Sequence, residues 1–525
     1  MKKHLYPILI ISVFLFVGCG GTNTGSGSAS SPSSSSGTGW PSSGVVGPSL
    51  GTSPYSVTAF SVRDGELASE NNDVDNPNGG CPKESCFYFS YDDSASTASV
   101  ELVKYYLKNG LKPDPSWGRA FEFLNFETFS TLQKKIGIFN VSMGIWSHPY
   151  SDPSLLKPEE TRYELGVQVS APEITMKDRA NTVLTLLIDV SGSMGERYIP
   201  FELDKESAIK TRLDVVKYGL SQLFHFSLKE GDVVNIVQFS TDSTESDVLL
   251  EGWNYSSTDN QYLNIVSALS PTYSTNLNAG IQRAYIVAKR TFKPGHTNRV
   301  ILLTDAYANT GEVDPTVISD STRINDQEGI YFSGLGIGSD FSEAFLNTLT
   351  DAGKGSYFAA ITPHDIKKAF VDRFIALLNV AARQTRFRLD FPSKLTHLTT
   401  ASEQISTDPN KVQTTNFSYN TSQFFLEGFR LGAEDVTQEK FKLTIEYKQE
   451  NGTSTTEQIE MTIGELIGKE EGAIKDAFIV TFLADLVGKR KECAVFNTAK
   501  ETILKDYSST TTQEYSDLIT KFCAI

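Results

Sequence analysis

Basic residues are in deficit. Lys and Arg number 47 against 63 Asp and Glu, a formal charge of −16 over 525 residues. A nucleic-acid binder needs a basic surface to displace counterions, so that class of partner is excluded. Histidine is scarce as well. The six histidines are scattered, and neither His-Glu-x-x-His nor Gly-x-Ser-x-Gly occurs, so the usual zinc-protease and serine-hydrolase signatures are missing. There are only five cysteines. The apolar run from Leu5 to Val17 is too short to span a bilayer. What is plentiful is acid. A solvated acidic surface accounts for most of those carboxylates, and the balance permits cation binding without requiring it. Hydrophobic residues make up 39% of a chain too long for one core, so two or more domains are expected.

The amino end reads as an export signal. Lys2 and Lys3 precede the apolar run, and Gly18-Cys19 follows it. A small residue before Cys resembles the lipobox of bacterial lipoproteins, with Phe16 where Leu is most usual. The resemblance implies a signal peptide over 1–18 and a lipid on Cys19. Residues 19–54 are dominated by Ser, Gly, Thr and Pro and cannot bury enough apolar surface to order themselves. A flexible tether of about 35 residues has an end-to-end distance of roughly 30–35 Å. The expected location is the bacterial cell envelope, lipid-anchored and extracytoplasmic, on the outer membrane or the cell surface. In that oxidising compartment the other four cysteines are expected to pair. Local pairing, Cys81 with Cys86 and Cys493 with Cys523, is the simplest of the three connectivities. A zinc site is disfavoured because no Cys-x-x-Cys spacing or neighbouring His is present.

Residues 55–180 form a first accessory region. Cys86–Tyr91 and Thr161–Ser170 read as strands and Ser99–Lys108 as a helix, ended by Gly110 and Pro113. From 181 to 381 strands and helices alternate. The predicted strands are Val183–Val190, Val233–Phe239, Arg299–Asp305, Ile330–Ile337 and Ser356–Ala360. The predicted helices are Arg212–Phe226, Asn278–Phe292, Ser342–Ala352 and His364–Val380. Near-continuous apolar strands between amphipathic helices mean an α/β fold with a doubly wound, mostly parallel sheet covered by helices on both faces. Residues 382–525 read as a β-rich region, with strands at Thr385–Phe391, Gln423–Leu431, Phe441–Tyr447 and Thr456–Ile463, and a helical tail over Ala473–Asp506.

Chemistry concentrates at the strand ends of the middle segment. Asp189-Val-Ser191-Gly-Ser193 puts one carboxylate and two hydroxyls on a tight loop after a buried strand. Ser274-Thr275-Asn276 opens a helix, and Asp305 closes another buried strand. Ligands of such sheets bind at the carboxyl ends of the strands. The set Asp189, Ser191, Ser193, Thr275 and Asp305 resembles the metal-ion-dependent adhesion site of the von Willebrand factor type A (VWA) domain. The departure is Ala306, where that family usually has Gly. Phe89-Ser-Tyr-Asp, Asn109-Gly110-Leu-Lys-Pro113 and Phe123-Leu-Asn125-Phe126 resemble the amino-terminal extension of a group of bacterial VWA lipoproteins.

The resemblance implies a Mg²⁺ ion (or Mn²⁺ or Ca²⁺) held by these oxygens, with one position open for the carboxylate of a protein or glycan ligand. The long connection Glu196–Lys210 puts Glu196, Arg197, Tyr198 and Phe201 beside that position as a ligand-specificity loop, or else is a tolerated surface insertion. Asn276 and Asn309 are candidate supports for the ligand shell. The reading is a non-enzymatic, metal-dependent binding module tied to the membrane through the lipid on Cys19. A scaffold with a structural or vestigial metal site is the alternative, and a hydrolase with an unrecognised site the second.

Overall fold

A computed structural model describes residues 81, 85–91, 96–148, 161–197, 209–305, 311–312, 314, 329–352, 355–432, 434–449, 452–502 and 504–525. Cys19, Tyr198, Phe201, Ala306 and Asn309 lie outside the described residues. In chain order the first elements are strand β1 (Cys86–Ser90), helix α1 (Ala98–Lys108), helix α2 (Ala120–Phe126), and strands β2 (Lys134–Ile136), β3 (Phe139–His148) and β4 (Thr161–Ser170). Next come β5 (Thr182–Asp189), α3 (Arg212–Phe226), β6 (Val233–Phe239), β7 (Val248–Asn254), α4 (Gln261–Ala268), α5 (Leu277–Arg290) and β8 (Thr297–Thr304). This stretch ends with β9 (Ile330–Ile337), α6 (Glu343–Ala352), β10 (Tyr357–Ala360), α7 (Pro363–Lys367) and α8 (Phe374–Leu378), the last two joined by a π-helical turn, Lys368–Asp372.

The middle elements build one sheet in the order β10-β9-β8-β5-β6-β7. All its pairs are parallel except β6 with β7. Every residue of β5 is buried, as a central strand covered on both faces requires. On one face Leu213, Val216, Leu220 and Leu223 of α3 meet Ile236, Leu335, Phe370 and Phe374. On the other, Leu277 and Ile281 of α5 and Leu346 of α6 meet Val300, Leu302 and Phe332. Helix α3 starts at a capping box: Thr211 Oγ1 accepts from Asp214 N, and Asp214 Oδ2 accepts from Thr211 N. The strand order reverses between β5 and β8, so the switch point of the sheet lies at their carboxyl ends.

The remaining elements are β11 (Val380–Asp390), β12 (Leu395–Thr400), β13 (Gln404–Ser406), β14 (Thr415–Ser418), β15 (Ser422–Leu431), β16 (Lys440–Lys448) and β17 (Ser454–Thr462), then α9 (Ile463–Leu466), α10 (Glu471–Val487), α11 (Cys493–Thr502) and α12 (Thr510–Ala524). The regions 55–180 and 382–525, read from sequence as two flanking pieces, share their sheets. One sheet runs β13-β1-β11-β16-β17 with β14 also on β11, and the other runs β12-β15-β4-β3-β2. Strand β1 thus pairs with β11 and β13, and β4 with β15, along antiparallel ladders. Each of the two sheets therefore draws strands from both regions. Phe87, Phe89, Phe387, Phe425 and Phe429 fill the space between the two sheets. Helices α2 and α10 cover the outer face of the second sheet and α12 packs on α10; the Phe478 ring meets Trp146 edge-on with centroids 5.5 Å apart.

The α/β domain is an insertion in this sandwich, and its two ends meet. Ala171 N donates to Thr421 O and Tyr419 N to Asn379 O, both at 2.9 Å. Between them Asn420, at φ 61°, bonds Ile174 through both ends of its amide. A second junction lies at β10. Ser96 Oγ and Glu101 Oε2 accept from the N–H groups of Tyr357 and Ala359, so α1 covers an edge that would otherwise be open to another strand. Arg119 and Glu122 of the accessory body bond Tyr357, and Arg119 Nη2 reaches Glu343 at 2.6 Å.

The tail is three helices and not one. Helix α10 stops at Val487, Lys489 takes φ 57°, and Arg490 folds back onto Asp485 with Nε–Oδ1 at 2.9 Å. The expected disulfides are both present, with Cα separations of 5.6 Å for Cys81–Cys86 and 5.9 Å for Cys493–Cys523. Among the described residues no helix is long and apolar enough to cross a membrane.

Candidate metal centre

Asp189 ends β5 and is fully buried. Its Oδ1 accepts from Ser191 N at 2.8 Å and its Oδ2 from Thr304 Oγ1 at 2.6 Å. Ser191, also buried, precedes a single 3-10 turn, Gly192–Gly195, that carries the half-buried Ser193. The two hydroxyl oxygens are 3.1 Å apart. Met194 plugs the turn into the core with no exposed surface. Gly192 N donates to Tyr273 O at 2.8 Å, and a Cβ at 192 would stand 3.1 Å from that same oxygen. A side chain there would have to push the Tyr273 carbonyl back by a few tenths of an ångström.

Thr275 is buried in the loop before α5. That loop is tied to the Asp189 strand through Thr272 N to Val190 O at 2.7 Å, and to the end of β6 through Asn276 N to Ser240 O at 2.5 Å. Asn276 caps α5, its Oδ1 accepting from Ala279 N at 3.1 Å. Asp305 follows β8, the strand beside β5, and is fully buried. Ser342 N holds its carbonyl, and the Arg212 guanidinium lies 3.6 Å from its Oδ2. Direct hydrogen bonds therefore gather Asp189, Ser191 and Ser193. Thr304 and Arg212 bring Asp305 to them, and the backbone of the 272–276 loop brings Thr275.

Burial pushes the Asp189 carboxyl up to about 6, and the charge of Asp305 adds to the effect, against the hydrogen bonds from Thr304 and Ser191. Two buried acids, with Asp305 disfavouring the ionisation of Asp189, flanked by three hydroxyl side chains, are a donor set made only of hard oxygens. Such a set fits Mg²⁺, Mn²⁺ or Ca²⁺ better than a soft metal. Among the described residues no three His, Cys, Asp or Glu side chains gather as metal ligands. An ion at this edge would thus rely on hydroxyl and water oxygens besides the two carboxylates.

Glu196 and Arg197 are exposed at the start of the long connection, whose ends meet where Arg197 bridges to Thr211. Glu196 Oε2 is 3.3 Å from Arg212. Sequence reasoning missed three neighbours of this edge. Thr304 was read only as a strand residue, and Arg212 only as a helix start. Tyr273, 86% exposed on the Thr275 loop, carried no periodic signal at all.

The fold is an open, doubly wound α/β domain with its polar cluster at the switch point. Residues 184–308 match the von Willebrand factor type A domain. The chain is 27% identical over 307 residues to the uncharacterized protein YfbK of Escherichia coli (strain K12), covering 58% of this chain and 49% of that one. It is 30% identical over 174 residues to inter-alpha-trypsin inhibitor heavy chain H3 of Mus musculus, covering 32% of this chain and 17% of that one. The chain spans about half the length of the first relative and less than a fifth of the second. Among solved structures, a von Willebrand factor type A protein from Catenulispora acidiphila aligns with a TM-score of 0.42 at 14% identity, over 75% of this chain and 89% of that one.

Proposed function

We propose that this protein is a lipid-anchored, extracytoplasmic binding module of the bacterial envelope, without enzymatic activity. Its VWA domain takes a carboxylate-bearing protein or glycan through a divalent ion, in adhesion or in assembly of an envelope complex. The observation that carries the reading is the buried Asp189 carboxylate, bonded at once to Ser191 N and to Thr304 Oγ1 beside Asp305. That carboxylate stands beside the Ser191–Ser193 turn and next to the strand that leads into Asp305. Ser191, Ser193 and Thr275 would supply neutral oxygens, and Asp189 and Asp305 the charge. A bound ion would supply a Lewis-acidic position for the ligand's carboxylate. The side chains set that position at a rigid sheet edge, so little ordering is needed on binding. Gly18-Cys19 after a short apolar run supports the anchor.

The test is calorimetry with Mg²⁺ or Mn²⁺ on the wild type and on Asp305→Ala. The wild type is expected to bind, and the variant to bind at least roughly tenfold more weakly while keeping its fold. Equal binding by both proteins would transfer the role to the scaffold reading, which the extensive junction between VWA domain and sandwich supports. For the anchor, Cys19→Ala is expected to leave the membrane fraction or remain unprocessed. Unchanged mature mass and fractionation would rule the lipid out.

A further inference from the structure

Arg212 is the one cation whose guanidinium stands, among the described residues, beside both the Ser193 turn and Asp305. It is 7% exposed, at the first position of α3, so the capped helix fixes where its stem begins. Nη1 donates to Ser193 O at 2.9 Å and lies 3.3 Å from Glu196 Oε2. Nη2 donates to both oxygens of Asp340 at 2.7 Å. The backbone makes room for it: Gly338, at φ +97°, would bring a Cβ to 3.0 Å from Arg212 Nε. The arginine thus has an inner side, toward Asp305, and an outer side, where Asp340 and Glu196 partly neutralise it.

Two fully buried carboxylates are costly without compensating charge. An arginine cannot release its proton to relieve a nearby cation, so its charge is permanent. We propose that Arg212 is the resident counter-charge of the metal centre, stabilising the metal-free protein and weakening ion binding by the same charge. The inference rests on the metal-binding reading above. The centre then releases its ion readily, and the outer acids Asp340 and Glu196 set how strongly Arg212 opposes it. Arg212 acts through Asp305 and the Ser193 carbonyl and is a positioning residue, not a ligand.

The experiment measures Mg²⁺ and Mn²⁺ affinity by calorimetry, and thermal unfolding in chelator and in saturating metal, on the full chain. Arg212→Gln is expected to melt lower than wild type in chelator and to recover part of the loss in metal. Its metal-induced rise in Tm exceeds that of wild type, and its ion affinity is roughly threefold to tenfold tighter. A purely structural arginine would lower both melting points equally and leave affinity unchanged, which overturns the proposal, as does weaker metal binding by the variant. Asp340→Asn, at an exposed position outside any helix or strand, is the companion should Arg212→Gln fail to fold. Freed from its outer partner, Arg212 is expected to weaken Mg²⁺ binding roughly threefold. Unchanged affinity in this variant counts against the proposal equally. Absence of binding by the wild type would instead sink the metal reading itself.

Discussion

Arg179 and Asp232, which precede β5 and β6 of the α/β domain, are both fully buried. Arg179 Nη1 donates to Asp232 Oδ1 at 2.9 Å and Nη2 to Ser227 O at 2.9 Å, while the same carboxylate accepts from the backbone of Thr182 and Lys229. Removing one partner of such a pair strands the other charge in the core. Asp232→Ala is therefore expected to cost about 3–5 kcal/mol of stability, read by denaturant unfolding. An effect below roughly 1 kcal/mol would mean that water reaches the arginine. This pair was invisible in the sequence, because its members are ordinary polar residues separated by a strand and a helix. The Asp189, Ser191 and Ser193 cluster was legible for the opposite reason: its residues share one turn, and local spacing records local geometry. Thr304 and Arg212 join that cluster across the sheet, and nothing in their own neighbourhoods marks them.

Helix α1 shows what an element does beyond its own turns. Its Glu101 is half-buried against β10, accepting from Ala359 N at 3.0 Å and from Thr97 Oγ1 at 3.2 Å. Burial lifts its carboxyl from about 4.5 to about 7, with help from Asp365 and against Arg373, Lys368 and the Ala359 N–H. The folded protein holds this proton more tightly than the unfolded chain. The contribution is whole below about 4.5 and is lost as pH rises through 7. Glu101→Gln keeps an acceptor for Ala359 and removes the slope, so its melting point should gain on wild type between about pH 5 and pH 8. Parallel melting curves over that window would contradict the burial argument. At the carboxyl end, Cys493–Cys523 closes 30 residues around α11 and α12. Cys523→Ser is expected to lose about 3–4 kcal/mol by loop-closure entropy, measured by denaturant unfolding under non-reducing conditions. Element type was legible wherever periodicity was strong, as in α3 and the apolar strands β5, β8 and β9. The break after Val487 was not, because the Asp485–Arg490 contact that turns the chain is tertiary in kind.

At the scale of the whole molecule, the two accessory regions fold as one. A fragment of residues 382–525 lacks β1 and β4, so β11 loses its four-residue ladder with β1 and β15 its ten-residue ladder with β4. Expressed alone it is expected to show no cooperative unfolding transition and no dispersed amide spectrum. A folded fragment would mean that the sandwich closes without its amino-terminal strands. The sequence concealed this arrangement because strand pairing across an inserted domain leaves no local trace. The meeting of the insertion's ends at Asn420 also bears on ancestry. A guest whose two termini emerge side by side can be exchanged for another with little loop-closure penalty to its host. Here the host checks the guest's identity. Arg119 and Glu122 wait under β10 for a Tyr at 357 and a Glu at 343. A transplanted domain lacking them would leave an arginine and a glutamate sealed together with their outward bonds unmade. Domain shuffling into this host is thus restricted to guests carrying the matching pair.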